Sequence, residues 1–209
     1  MPSRGTLPEL PPLHDAAPQT PVLFLHGVLA SPGNFGEAIR ELAGAGVPVL
    51  APAYGNRGTG DLTASLAELS GLLARELPAA DSAFDIVGHS LGGLLGLRLA
   101  HHFPGRVRTL VGVGAAWRGV PLAPGRRGRI IRGALGLVGG PAYRQLLLTA
   151  PLEATAPYRT RVVSLVSDAD RIIPPATASL GEVRMLRGVA HEHLPQQSAP
   201  ILEALDWRP

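Results

Sequence analysis

From residue 21 onward, the chain repeatedly alternates a short apolar run rich in β-branched residues with a longer segment of helical periodicity. Short runs of this kind favour buried strands, and their alternation with helices is typical of βα units around a parallel sheet. The sequence therefore predicts an α/β fold with about six parallel strands. The predicted strands are VLFL (22–25), VPVLA (47–51), FDIVG (84–88), VRTLVGVG (107–114), RVVSLVS (161–167) and EVRML (182–186).

Three of the intervening segments have the pattern of helices. Leucines at 62, 66, 69, 73 and 77 recur at steps of four and three, which marks one face of a helix. Asp61 is placed to cap this helix and Pro78 to end it. Similar segments run from Leu91 to Phe103 and from Gln196 to Leu205. Because crossovers between parallel strands are right-handed, we expect helices on both faces of the sheet.

The length and composition are those of one globular domain. A chain of 209 residues buries a sizeable core without metal or disulfide staples, and 45% hydrophobic against 17% charged residues argues against disorder. The first twenty residues contain five prolines and no apolar stretch like that of a secretory signal. We therefore expect a flexible arm at residues 1–20 and a single domain at 21–209.

Charge and residue usage exclude several functional classes. The net charge is only +3, which gives no reason to expect a nucleic-acid partner, although all 19 basic residues are arginine. The absence of cysteine excludes disulfides, a thiol nucleophile and cysteine metal sites. No uncharged apolar run reaches about 18 residues, so we expect a soluble, cytoplasmic protein. A secreted form whose leader had been removed would have the same sequence.

The connection between the fourth and fifth strands is unusually long, about 46 residues from Ala115 to Thr160. Two interpretations of it stay open: a lid over a pocket, or a surface helix whose arginines are solvated. Its arginines and aliphatic residues include Arg126, Arg127, Arg129, Arg132, Ile130, Ile131, Leu135 and Leu137.

The stretch GHSLGG at 88–93 matches the pattern Gly-x-Ser-x-Gly between a predicted strand and a predicted helix. In such a turn the serine adopts a strained backbone conformation that exposes its hydroxyl, and side chains at Gly88 and Gly92 would collide with their neighbours. Ser90 could instead only cap the helix, but a cap does not require flanking glycines. The context favours Ser90 as a nucleophile.

A serine nucleophile needs amide donors for the oxyanion of its tetrahedral intermediate. The natural pair is the amide of Val28, in the loop after the first strand, and that of Leu91, at the start of a helix. His26 precedes the serine in the chain, so we expect a structural role for it.

The serine also needs a base and an acid, which in this kind of fold follow it in the order acid, then histidine. The loop SDADRIIPP after the fifth strand offers Asp168 and Asp170, of which one could instead support a turn. The late segment RGVAHEHLP offers His191 and His193 as the base.

The sequence from about residue 20 onward resembles the small bacterial lipases and esterases of the α/β-hydrolase superfamily. This resemblance implies a minimal α/β-hydrolase fold. It also selects Asp170, because Ser167, Asp170, Ile173 and Pro174 reproduce the family's acid pattern, and His191, which stands three residues after a glycine. The segments that carry the resemblance are HG (26–27), NF (34–35), YGNRGTGDLTASLAEL (54–69), GHSLGG (88–93), RGVPLA (118–123) and RQLLLTAPLEA (144–154).

The resemblance implies cleavage of carboxylic esters through an acyl-enzyme, by a Ser90, His191 and Asp170 triad without metal or organic cofactor. The partner would be a small-molecule ester or a lipid, and the arginine-rich connection suggests contact with lipid interfaces. A thioesterase, amidase or acyltransferase uses the same apparatus, and a non-catalytic binding module is the alternative of another class. Where such lipases often have Thr-Pro-His, this chain has Ala115, Ala116 and Trp117, a departure that bears on pocket shape.

Overall fold

The computed structural model describes residues 7, 10, 19–79, 81–120, 139–148 and 154–207. Its centre is a sheet of six strands in the order β2-β1-β3-β4-β5-β6. Every neighbouring pair is parallel. This confirms the prediction of six parallel strands. The strands are β1 (Val22–Leu25), β2 (Val49–Leu50), β3 (Phe84–His89), β4 (Val107–Val113), β5 (Arg161–Ser167) and β6 (Glu182–Leu186).

Four of the five longer helices lie between these strands in the chain, and the last follows β6. The leucine-patterned helix α2 begins after Asp61, whose side chain accepts hydrogen bonds from the amides of Thr63 and Ala64, and it ends before Pro78. The predicted cap and stop are therefore confirmed. The helices are α1 (Gly36–Gly44), α2 (Leu62–Glu76), α3 (Leu91–His102), α4 (Gly140–Leu148) and α5 (Ser198–Ala204), with shorter helical turns at Pro32–Phe35, Gly55–Gly58, Pro175–Ala178 and His191–Gln196.

The core has two layers, one on each face of the sheet. Alternate side chains of β1 enter different layers, because successive residues of a strand point to opposite faces. Leu23 and Leu25 pack with leucines of α2 and α3. Val22 and Phe24 pack with apolar residues of α1 and α5. Each fully buried leucine of this kind contributes roughly 1.5–3 kcal/mol to folding.

All six strands run in one direction, so their carboxyl ends share one edge of the sheet. The loops that follow β1, β3 and β5 therefore open at the same edge, where groups that bind ligands gather in parallel sheets. Val28, Ser90 and Asp170 lie in these loops. The fold thus collects residues that are far apart in the sequence.

The long connection between β4 and β5 is described only at its two ends. Residues 121–138, which include the predicted lid arginines, lie outside the described residues, as does most of the predicted N-terminal arm. On either side of that stretch, the amide of Val120 donates to the carbonyl oxygen of Leu146 (3.3 Å). Gln145 of α4 is also tied to the start of α2: its Oε1 accepts from the amide of Leu62 (2.9 Å) and its Nε2 donates to Asp61 (2.7 Å).

Two residues of the predicted arm, Leu7 and Leu10, are described. Both are half-buried and pack against the layer that contains α1 and α5. Among the helices that the structure describes, none is both long and apolar enough to cross a bilayer.

Candidate active site

Ser90 occupies a sharp turn between β3 and α3. Its backbone has φ 53° and ψ −116°, a combination that is strained for a non-glycine residue. Main-chain hydrogen bonds hold it there: its amide donates to Val113 (3.1 Å), and its carbonyl accepts from Gly93 (3.1 Å) and Ala116 (3.0 Å). The Ser90 side chain makes no capping hydrogen bond to the helix. The alternative in which Ser90 only caps α3 is therefore not what the structure has.

The glycines around Ser90 are required by close packing. A Cβ atom at Gly88 would lie 2.5 Å from the carbonyl carbon of Gly92, and one at Gly92 would lie 2.1 Å from the carbonyl oxygen of Leu25. Real Cβ contacts are never so short, and both neighbours are backbone atoms. The predicted collisions are confirmed.

Asp170 and His191 form a buried pair. Asp170 Oδ2 accepts a hydrogen bond from His191 Nδ1 at 2.7 Å, and the side chains are 0% and 8% exposed. The other carboxylate oxygen accepts from the amides of Ile172 (2.9 Å) and Ile173 (2.8 Å), so the carboxylate is fixed from both sides. With its Nδ1 proton donated to a carboxylate, the imidazole carries its lone pair on Nε2, where it can accept a proton.

The alternative acid and base lie elsewhere. Asp168 is exposed, and its Oδ1 accepts a hydrogen bond from the amide of Gly188 at 2.7 Å. His193 is also exposed and lies 3.3 Å, Nδ1 to Oε1, from Gln196. Asp168 thus connects the loop after β5 to the loop that leads to His191, and His193 has no carboxylate partner among the described residues.

The end of β4 connects Ser90 to the buried pair. Val113 accepts the amide hydrogen bond of Ser90, and a Cβ atom on the next residue, Gly114, would lie 3.0 Å from Asp170 Oδ2 and 3.3 Å from His191 Nδ1. Of the three predicted residues, the structure joins Asp170 and His191 directly. Within the described part of the chain, no hydrogen bond joins Ser90 to His191.

His89, which sequence reasoning did not single out, lies against the pair. Its ring centroid is 4.6 Å from that of His191, and its Nε2 lies 3.1 Å from the carbonyl oxygen of His191. Since a carbonyl only accepts, Nε2 carries the proton. Nδ1 is buried without a hydrogen-bond partner in the described structure. Burial, and then the neighbouring His191, lowers the pKa of His89 well below its ordinary value, so the ring is neutral at pH 7.

The predicted oxyanion donors, Val28 and Leu91, belong to segments in contact. A Cβ at Gly92, next to Leu91, would lie 2.8 Å from the carbonyl oxygen of His26. Neither amide donates to any backbone or side-chain acceptor that the structure describes.

His26 has the structural role that the chain order predicts. It is buried, its Nδ1 lies 2.9 Å from the carbonyl oxygen of Gly27, and its ring stacks on that of Tyr54 at 4.3 Å. Burial lowers the pKa of His26 and raises the pKa of Tyr54, because each ring is more stable uncharged away from water. His26 thus fixes the path of the chain between β1 and Val28.

Trp117 belongs to the core of the described structure. It is fully buried, and its Nε1 donates to Ser164 Oγ (3.1 Å) of β5. A Cβ at Gly112 of β4 would lie 2.1 Å from the Trp117 ring. The indole therefore fills the space above a glycine of the sheet. The departure from related sequences at Trp117 thus affects the packing of the core.

Two surface cavities of about 500 and 800 Å³ lie away from the predicted site residues. The smaller one reaches Asp85 and Arg108, at the amino ends of β3 and β4, opposite the edge that holds Ser90. Across the described ranges, no cluster of three or more histidine and acidic side chains could hold a metal ion.

Known proteins share this architecture. A monoacylglycerol lipase from Paleococcus ferrophilus superimposes with a TM-score of 0.60 at 20% identity, over 90% of this chain and 94% of its own. A marine microorganism esterase gives 0.66 at 13% identity, over 92% and 97%. The thioesterase domain from the curacin biosynthetic pathway gives 0.60 at 17% identity, over 91% and 92%. At such identities the likeness shows a shared fold.

No curated protein matches the chain in sequence. Residues 22–206, however, match the family described as "Alpha/beta hydrolase family". This range contains all six strands and the loops that carry Val28, Ser90, Asp170 and His191. The fold predicted from the sequence is therefore confirmed, and the chain belongs to the alpha/beta hydrolase family.

Proposed function

We propose that the protein is a serine hydrolase that cleaves carboxylic esters through an acyl-enzyme intermediate. The observation that carries the proposal is the buried 2.7 Å hydrogen bond between His191 and Asp170, adjacent to the strained turn at Ser90. A buried carboxylate that orients a histidine is the arrangement needed to activate a serine hydroxyl. Because a cap or a core network does not require the strain at Ser90, catalysis explains these features together.

In the proposed acylation step, Ser90 Oγ attacks the carbonyl carbon of the ester while His191 Nε2 takes the hydroxyl proton. The amides of Val28 and Leu91 donate to the oxyanion of the tetrahedral intermediate, and the N-terminus of α3 adds a favourable dipole. His191 then gives its proton to the leaving alcohol, and the acyl group stays on Ser90. Asp170 stabilises the imidazolium that forms in between.

In the deacylation step, His191 takes a proton from water, and the resulting hydroxide attacks the acyl-Ser90 ester. Collapse of the second intermediate releases the carboxylic acid and returns the proton to Ser90. Each step uses only the groups of the chain, the ester and water, and proton transfers balance over the cycle.

The decisive experiment is a panel of esters of graded acyl length, assayed with the wild-type protein and with Ser90→Ala. We expect turnover by the wild type and a loss of at least about 10³-fold in kcat for the variant. A fluorophosphonate, which reacts with activated serines, should label Ser90 alone, as mass spectrometry of the labelled protein would show. Unchanged ester turnover by Ser90→Ala would refute the mechanism.

A thioesterase is the second candidate, because the shared fold includes a thioesterase domain and the same groups serve either leaving atom. Matched ester, thioester and amide substrates with one acyl group separate these activities by kcat/KM. A binding module without catalysis would turn over none of them and would leave Ser90 unlabelled.

Contact with lipid interfaces through the arginine-rich connection is a further part of the proposal. The four arginines at 126, 127, 129 and 132 lie beside aliphatic residues, a composition that suits anionic interfaces. We expect the wild-type protein to co-sediment with anionic phospholipid vesicles. A variant whose four arginines are replaced by glutamine should co-sediment less. Equal sedimentation of the two proteins would reject this part alone.

A further inference from the structure

The segment Tyr54–Gly58, which follows β2, packs against the loop His26–Ala30, which follows β1. We call the first segment the clasp and the second the β1 loop. The β1 loop contains Val28, whose amide is the proposed oxyanion donor. Nothing in the sequence of the clasp predicts a catalytic role.

Three contacts join the clasp to the backbone of the β1 loop. The hydroxyl of Tyr54 donates to the carbonyl of His26. Arg57 Nη2 donates to the carbonyl of Leu29 at 2.6 Å. Between them, a Cβ at Gly58 would lie 2.7 Å from the carbonyl oxygen of Gly27, so only glycine allows this approach.

These contacts reach the peptide plane that contains the Val28 amide, the plane before it, and the plane two positions after it. The Val28 N–H shares its plane with the Gly27 carbonyl, which Gly58 touches and which also accepts from the amide of Ala30 (3.3 Å). The preceding plane is held by Tyr54 and the plane after Leu29 by Arg57. The Val28 N–H thus lies in a short stretch of backbone whose carbonyls are held by the clasp on both sides.

Three of the six described non-glycine residues with a positive φ lie in these two segments. Leu29, Asn56 and Arg57 have φ values of 57°, 48° and 61°, in the left-handed region that non-glycine residues enter at a cost. Such conformations persist where the surroundings fix them, and they cluster at functional sites. Leu29 and Arg57 are the two ends of one hydrogen bond.

The contribution of Arg57 to folding is expected to be small. Arg57 is exposed, and it forms no salt bridge with any described residue. A single exposed hydrogen bond adds little to stability, because water replaces it readily. The effect of removing this side chain should therefore be confined to the β1 loop.

We propose that Arg57 is a positioning residue that holds the Val28 amide in the direction an oxyanion requires, an inference that rests on the proposed function. The guanidinium holds the β1 loop through its hydrogen bond to the Leu29 carbonyl and touches no reacting atom. Preorganised donors act mainly in the transition state, so their misplacement lowers kcat more than it changes substrate binding.

The test compares Arg57→Met, Arg57→Lys and the control Arg75→Met, which removes another exposed arginine near the end of α2. We expect Arg57→Met to lower kcat by about 10- to 100-fold with little change in KM, because the donor is misplaced and not lost. Arg57→Lys, which keeps one donor for the Leu29 carbonyl, should recover part of the rate. Arg75→Met should behave like the wild type.

Arg57→Gly separates a positioning role from a structural one, because this variant is expected to lower kcat without lowering stability. Glycine suits a positive φ, so the variant should unfold at the same or higher urea concentration than the wild type and still show the reduced kcat. Loss of stability in parallel with loss of rate would overturn the positioning role.

Two further outcomes separate this inference from the function beneath it. Wild-type protein that labels at Ser90 and turns over esters, beside Arg57→Met with unchanged kcat, would reject Arg57 alone. Wild-type protein that neither labels nor turns over acyl substrates would reject the proposed function, and the inference with it.

Discussion

Replacing Asp170 by asparagine tests the proposed triad with little change in side-chain shape. In the native protein, Asp170 Oδ2 faces His191 Nδ1 at 2.7 Å, and Oδ1 accepts from the amides of Ile172 and Ile173. Those two amides require an acceptor, so the oxygen of the new side chain takes the Oδ1 position. Its NH₂ group therefore faces His191.

This orientation inverts the tautomer of the histidine. An NH₂ group only donates, so His191 Nδ1 must accept and the ring proton moves to Nε2. Nε2 then has no lone pair for the Ser90 proton. The corresponding exchange in a serine protease triad lowers kcat about 10⁴-fold, which equals about 5 kcal/mol of activation free energy. We expect a loss of this size for Asp170→Asn.

The assay is the steady-state kcat for a short-chain 4-nitrophenyl ester, with urea unfolding to verify that the variant is folded. Asp168→Asn is the matched control, because Asp168 is exposed and an asparagine oxygen can still accept from the Gly188 amide. The control should stay close to the wild type. A folded Asp170→Asn protein with more than about a tenth of the wild-type kcat would refute the argument, and a large loss in Asp168→Asn would move the acid to that position.

The remaining predictions concern stability. Burial lowers the pKa values of His26 and His89, so the unfolded chain binds more protons below pH ~6.5, and the free energy of unfolding should fall as the pH drops from about 7 to 5. The slope, from urea denaturation, should reach up to about 1.4 kcal/mol per pH unit for each histidine, and a flat profile would contradict the burial argument. Gly92→Ala places a Cβ 2.1 Å from the Leu25 carbonyl oxygen and should cost about 3 kcal/mol or more in the same measurement. Gly44→Ala, at the end of α1 with no atom within 4 Å of the added Cβ, should leave stability equal or slightly higher.

The central strands β1, β3, β4 and β5 were predictable because they are short, mainly apolar runs bounded by turns. The largest difference concerns β2, predicted at 47–51 and observed at Val49–Leu50. Pro48 lacks an amide proton and cannot donate to a neighbouring strand. Its carbonyl oxygen accepts a hydrogen bond from the amide of Val22 (2.9 Å), outside the regular pairing of β1 with β2. A proline inside an apolar run shortens the strand, and the pattern of apolar residues alone does not predict this. Helix α1 was not singled out in advance either.

The site was predictable where it depends on a local pattern. Gly88, Ser90 and Gly92 carry their own geometric requirement, since the turn permits no side chain at either glycine. The choice of Asp170 and His191 over their neighbours needed the family resemblance, because the residues alone left both pairs open. That catalytic choice stays a prediction, although the structure does pair these two side chains.

Other parts of the site had no local signal. Tyr54 and Arg57 contact the β1 loop across 28 residues of sequence, and nothing in YGNRG specifies which carbonyl each will meet. His89 reaches His191 across 102 residues. Trp117 was connected with the pocket from the sequence, but its burial against Gly112 follows from the packing of two strands. Contacts of this range become visible only in the folded chain.

Because Val120 and Leu146 are hydrogen-bonded, the stretch 121–138 is expected to change in evolution independently of the sheet edge. This hydrogen bond joins Val120, directly before the stretch 121–138, to Leu146 in α4, the helix that follows this stretch, and Gln145 anchors α4 to α2. Once the ends are held, doubling the length between them costs only about 0.6 kcal/mol of closure entropy. Insertions, deletions and exchanges at 121–138 are therefore expected to leave the supports of Ser90, Asp170 and His191 intact. Divergence in that stretch and conservation of the sheet edge can then proceed under independent selection.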